Sequence, residues 1–307
     1  MLRDVRRAAL RRDLAQVGEV LTTGLTGPDD RIERVRVAVE TLTEWTGKSV
    51  PKGLDDWVRD DPGNATALVV RGAAEINRAW EARGRLRAKY TKPQQFAEFA
   101  EILKAAEAYC RAAAQADPKD PAPWFALLTM ARGQQVGASE VVRRRDELEA
   151  RAPQHFLGHR HAVAALGPQW GGSMELVDKY VRTWTDAAPA GSLLPALVFV
   201  AGVQRWWSEG HRRGFASDPE LRARAHQATE LLPMRPCQTP DEFVAHNHAA
   251  GWYGLSREPK RANDHFKLVR GYVSEFPWRD LRAGSIRQGE VPLFRGYRLN
   301  AWLRLPL

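Results

Sequence analysis

Cysteine is almost missing from this chain: Cys110 and Cys237 are the two in 307 residues. Two thiols exclude a disulfide framework and the cysteine-rich zinc modules. Lysine is also scarce, nine against 37 arginines. Guanidinium forks suit carboxylates, phosphates and aromatic faces better than ammonium groups do. Long apolar runs are lacking. The most apolar stretch, 193–203, contains Pro195 and is soon followed by Arg205, well short of the roughly 20 residues a bilayer requires. It reads as a buried helix, and no membrane span is expected. The N terminus carries Arg3, Arg6, Arg7, Arg11 and Arg12 with no apolar segment behind them. A secretory signal is therefore not expected, and the cytoplasm is the expected compartment. Strand-like alternation is rare until the last fifteen residues.

What is present is globular: 44% apolar and 27% charged residues, with a net charge of +9. Those values exclude collagen-like, low-complexity and fully disordered chains. Glycine and proline punctuate segments that otherwise read as helix. The pattern predicts helices over 2–23, 30–46, 64–83, 95–116, 121–133, 138–151, 155–166, 173–186, 192–208, 218–232, 240–255 and 259–275.

A repeat runs through them. Asp117-Pro118, Ala152-Pro153 and Ala188-Pro189 each close a helix and open the next unit, 35 and 36 residues apart. An earlier copy, Asp61-Pro62, stands 56 residues before Pro118, as though that unit held an insertion of about twenty residues. A period near 34 with a helix-ending proline marks stacked helical hairpins. One hairpin cannot bury both of its apolar faces, so neighbours stack into a continuous core.

On these residues the chain resembles the tetratricopeptide (TPR) family. Counted from Pro121, Trp124 and Leu127 take the family's positions 4 and 7. Counted from Ala65, Leu68 and Gly72 take positions 4 and 8, with Arg71 at 7. The units after Pro153 and Pro189 are degenerate, with His159 at position 4 of the first. The resemblance covers roughly 60–235. The strings W-E-A-R-G (80–84), D-P-x-D-P-x-P-W (117–124), H-F-L-x-H-R (155–160) and W-G-G-S (170–173) also resemble an uncharacterised actinobacterial TPR-like family, a resemblance that supplies no activity. It implies that the first helix of each hairpin lines a concave groove. Carried over position by position, Asn77, Phe125, Arg132, Arg160 and Gln204 would face it. Asparagine and arginine on such a wall suit capture of a carboxylate or an acidic segment.

Covalent chemistry finds little support. No G-x-S-x-G occurs, neither cysteine has a histidine beside it, and no phosphate-cradling glycine loop with lysine is present. Gly171-Gly172 reads as a tight turn into a Ser173-capped helix. Cys110 reads as an inert buried thiol and Cys237 as exposed in a proline-rich turn. His155 and His159 are one helical turn apart and are the weak candidates for a metal, though packing or surface roles are the stronger reading. His246 and His248 diverge on a helix. The pairs Asp29-Asp30, Asp55-Asp56 and Asp60-Asp61 read as caps and solvated turns. No metal or cofactor is expected.

Charge is more informative. Residues 83–92 hold five cations and no acid: Arg83, Arg85, Arg87, Lys89 and Lys92, with Tyr90 among them. Residues 257–307 hold eleven cations and five acids. The last part of that segment, with Phe294, Tyr297, Trp302, Leu303 and Leu305, is too apolar for a free tail and reads as an irregular segment docked on the repeats. Arg143-Arg144-Arg145, followed by Asp146 and Glu147, reads as an exposed, salt-bridged helix face.

The sequence thus predicts an all-α, TPR-like helical-hairpin solenoid. A single domain spans 1–278, made of a helical cap (1–60), repeats (61–235, with the insertion at 83–95) and C-terminal helices (236–278). A basic aromatic tail follows at 279–307. The expected function is a non-enzymatic scaffold that binds an acidic or extended peptide from a protein partner. The alternatives are nucleic-acid or phosphate-ligand binding through the arginine-rich loop and tail, and a metal-dependent enzyme at His155 and His159.

Overall fold

The computed structural model describes residues 1–44, 46, 49–84, 90–210, 216, 218–281 and 289–303. Every regular element among them is helical, and none is a strand. No helix among them is long and apolar enough to cross a membrane. The chain divides into two compact units, Met1–Gly158 and His159–Leu307.

The first unit contains α1 (Leu2–Arg11), α2 (Leu14–Thr22), α3 (Pro28–Thr43), α4 (Leu54–Asp60), α5 (Ala65–Arg83), α6 (Pro93–Ala116), α7 (Ala122–Gln134) and α8 (Ala138–Glu149). The predicted helix over 2–23 is two helices. Arg12 takes a left-handed conformation (φ 55°) and Asp13 recaps the chain by accepting from the Gln16 N–H at 3.0 Å. The helix α4 was not anticipated. The helix α5 runs to Arg83 and α6 begins at Pro93 with 24 residues, so the expected insertion at 83–95 falls at the junction of these two helices, with 85–89 outside the described residues. Here α5 packs on α6, and α7 packs on α5, α6 and α8.

Buried arginines tie these helices together. Arg31 donates to the Leu21 carbonyl (2.9 Å) and pairs with Asp120 (2.7 Å), and Arg34 donates to the carbonyls of Val20, Thr23 and Gly24. The C-terminal carbonyls of α2 lack helical partners, so the two guanidiniums supply them from α3. Asp30, expected in a solvated turn, is buried against Arg34 at 2.9 Å. The reading of Arg143–Arg145 as an exposed face is corrected at Arg144, whose side chain is 1% exposed. It reaches Glu140, Glu107, Gln134 and the Leu127 carbonyl, joining α8 to α6 and α7. The fork finds four acceptors there, which offsets its desolvation.

The helix α9 (Phe156–Ala165) spans the boundary between the units. The second unit continues with α10 (Met174–Asp186), α11 (Leu197–Ser208), α12 (Pro219–Leu231), α13 (Pro240–Leu255), α14 (Pro259–Val269), α15 (Trp278–Leu281) and α16 (Glu290–Leu303). Local chemistry starts these helices where the sequence suggests. Ser173 accepts from the Leu176 N–H at 3.1 Å, and Thr239 with Glu242 forms a reciprocal box around the start of α13. The proline at the head of α12, α13 and α14 occupies a first-turn position where no N–H is needed.

The core of this unit is α13, which is buried around most of its circumference from Ala245 to Gly254. Its small residues allow close neighbours. On α11, Gly202 is a contact point: a Cβ there would overlap the indole of Trp252. Within the tail expected to be irregular, Glu290–Leu303 is a helix, while 282–288 and 304–307 lie outside the described residues. In α16, Phe294, Tyr297 and Ala301 recur at helical spacing. Trp278 meets Phe294 at 5.3 Å and Tyr297 at 5.5 Å between ring centroids. The apparent alternation at 293–303 comes from a helix with two faces, Phe294 and Tyr297 turned to Trp278 and Trp302 exposed.

Candidate functional site

In the first unit two sets of residues read separately from the sequence meet on one ring. Trp80, near the end of α5, lies 4.8 Å from Phe99 of α6 between ring centroids. Arg132 of α7 lies 4.9 Å from the Trp80 centroid, and Arg83, three residues beyond Trp80, lies at 5.7 Å. Arg83 is also 5.7 Å from the ring of Phe96. The basic segment and the proposed groove therefore share Trp80. Cation–π attraction holds each guanidinium over an aromatic face without neutralising its charge, and Arg83 also donates to the Gly84 carbonyl at 3.3 Å.

The local framework is fixed. Gln95 Nε2 donates to the carbonyls of Ala82 and Arg83 at 3.2 Å, pinning the end of α5. Gly133 lets α6 approach α7, since a Cβ there would come within 2.7 Å of Phe99. Tyr90 is 58% exposed and Lys92 is exposed. Arg85, Arg87 and Lys89 lie outside the described residues. Asn77 is half-buried and donates to Thr43 Oγ1 at 3.0 Å, so it serves α3–α5 packing. Phe125 is buried, its ring edge-on to His155 at 5.2 Å.

The histidine pair is engaged in packing. His155 accepts the Gly158 N–H at 3.0 Å and so caps the start of α9. His159 is buried, hydrogen-bonded to the Tyr180 hydroxyl at 2.8 Å and 4.3 Å from Trp184 between ring centroids. Among the described residues no three His, Cys, Asp or Glu side chains gather as a metal site. Burial raises both thiol pKa values, Cys110 to about 12 and Cys237 to about 11. Neither is a thiolate near neutrality, and Cys237 is half-buried rather than exposed.

In the second unit Arg160 is 7% exposed and stacks 4.4 Å from the Phe276 ring centroid. Its Nε has no acceptor among the described residues. Burial lowers its pKa, against the opposing pull of Asp280 and Glu275. Gln204 Nε2 donates to the Val163 carbonyl at 3.1 Å, three residues beyond Arg160, while its Oε1 meets no donor. Among the described residues Arg160 Nε is thus a buried donor, and Gln204 Oε1 a buried acceptor, that no hydrogen bond uses.

Sequence reading missed Trp80, Phe276 and a buried histidine pair, His246 and His265. Trp80 with Arg83 carried a signal, because residues three apart on a helix share a face. The contribution of Arg132, from a different hairpin, carried none. No protein-family model, curated protein or solved structure matches the chain.

Proposed function

We propose that the chain is a TPR-like helical-repeat binding protein whose first unit takes an acidic, extended segment of a protein partner at the Trp80 wall. The observation that carries this reading is the convergence of Arg83 and Arg132 on Trp80. Two guanidiniums held on one ring fix two positive charges side by side, which attracts the carboxylates of an acidic segment. The packing of α5 and α6 on each other, with α7 against both, supports the repeat reading. The cations at 85, 87, 89 and 92 follow directly in sequence and would add attraction at longer range. In this reading the protein binds and positions its partner and performs no covalent step.

The test uses the full chain and a fluorescein-labelled peptide of alternating Glu and Ala, read by polarisation at low salt. Arg83→Glu with Arg132→Glu should weaken binding about tenfold or more, while Asn77→Ala should leave it within a factor of two or so. Unchanged affinity in the double variant removes the Trp80 wall as the binding site.

A further inference from the structure

A second surface, on α14 and α16, is built differently. A cavity of about 390 Å³ is lined by Asn263, Lys267, Arg295, Arg298, Leu299 and Trp302. Its size lies within the range of small-molecule sites. The two helices contribute stripes at helical spacing: 263 and 267 on α14, and 295, 298, 299 and 302 on α16. Phe294, Tyr297 and Ala301 hold the neighbouring face of α16 to the core, so the exposed basic stripe rests on a fixed support.

Charge and aromaticity are separated along α16. Arg295 and Arg298 come first, about 10 Å and about 6 Å along the axis from Trp302, which comes last. Neither arginine makes an ion pair among the described residues. Lys267 is partly offset by Asp264 at 3.4 Å. Trp302 is 68% exposed and Leu299 53%. An indole and an isobutyl group left open beside three cations are costly to leave wet, and a flat ligand ring would cover them.

We propose that this cavity binds a nucleotide, free or within a single strand. Arg295, Arg298 and Lys267 take its phosphate, Trp302 stacks on its base, and Asn263 offers both a donor and an acceptor to its polar edges. Phosphate accepts the arginine fork as two parallel hydrogen bonds. Aromatic stacking is indifferent to base identity, so broad base tolerance is expected. An acidic peptide would satisfy the cations and leave Trp302 bare.

Isothermal titration of the full chain at low salt tests this with adenosine monophosphate, inorganic phosphate, adenosine and single-stranded oligothymidine. The nucleotide should bind about tenfold more tightly than phosphate or adenosine alone. Trp302→Ala should erase its advantage over phosphate. Arg295→Glu with Arg298→Glu should weaken nucleotide and phosphate alike by about tenfold or more. All three positions are exposed, and circular dichroism checks that the variants keep their helices. A strand that binds far more tightly than the monophosphate, with a steeper salt dependence, identifies a polynucleotide as the source. Equal affinities identify a free nucleotide. The assignment is overturned if no nucleotide or strand binds, if these variants bind normally, or if the Glu-Ala peptide displaces the nucleotide from this cavity. Arg83→Glu with Arg132→Glu should leave nucleotide affinity unchanged, which separates this cavity from the Trp80 wall.

Discussion

The Nδ1 atoms of His246 and His265 lie 2.8 Å apart in the interior of the second unit. One ring donates and the other accepts, and the low pKa values of both keep the imidazoles neutral near pH 7. Burial lowers both pKa values, His246 to about 4 and His265 to about 3, and His248 to about 3 as well. Glu242 and Arg235 act on His246, Arg261 on His265 and Arg160 on His248. In the unfolded chain each would titrate near its ordinary value of 6.5. Stability is therefore full above about pH 6.5 and falls as pH drops toward 4 and 3, because the unfolded state takes up protons the folded state refuses. At pH 5 the loss is on the order of 2 kcal/mol per histidine. Thermal unfolding between pH 7.5 and 5 reads it, and His248→Gln should flatten the slope. A melting temperature independent of pH over that interval contradicts the assignment.

Arg144→Met should destabilise the first unit by about 1–3 kcal/mol, since the Leu127 carbonyl and Gln134 Oε1 lose its donors while Glu107 and Glu140 keep Arg111 and Arg143 as partners. Arg144→Lys should recover little, because one ammonium cannot meet Glu107, Glu140, Gln134 and the Leu127 carbonyl in the geometry of the fork. Urea denaturation of both variants gives the comparison. A wild-type midpoint for Arg144→Lys would show that charge alone suffices.

Asp120→Asn should cost about 3 kcal/mol or more by stranding the buried Arg31 cation. Asp120 also accepts the Ala122 N–H at 2.9 Å at the start of α7, a bond that asparagine retains. A full-sized loss in the asparagine variant therefore reports the ion pair and not the cap. A loss below about 1 kcal/mol would mean that water replaces the carboxylate.

Arg160→Met should stabilise the second unit, by about 1 kcal/mol. It removes a buried cation whose Nε has no acceptor, and the lost stacking on Phe276 offsets part of the gain. A variant that unfolds earlier in urea than the parent would show that the Phe276 contact outweighs the desolvation of the guanidinium.

Helix positions were well marked in the sequence because their causes are local. Ser173, Thr239 with Glu242, and the prolines at 219, 240 and 259 start helices through contacts within four residues. The break at Arg12 was hidden, as a left-handed arginine has no glycine or proline to announce it. Arg144 was misplaced for a different reason. Its acidic neighbours suggested an exposed face, while the acceptors that bury it come from residues 107, 127 and 134. The site divides in the same way. Arg83 stood out in a basic run and Arg132 at a repeat position, but only packing of α5 against α7 brings both to Trp80. The pocket on α16 was hidden behind an apparent strand-like alternation that the helix resolves into two faces.

A Cβ at Gly202 would stand closer to the indole nitrogen of Trp252 than any real contact, so a side chain at 202 and the ring at 252 compete for one space. The two positions are thus a single unit of inheritance. Among descendants of a common ancestor, any side chain at 202 must arrive with a smaller ring at 252, and the two columns of an alignment should change together or not at all.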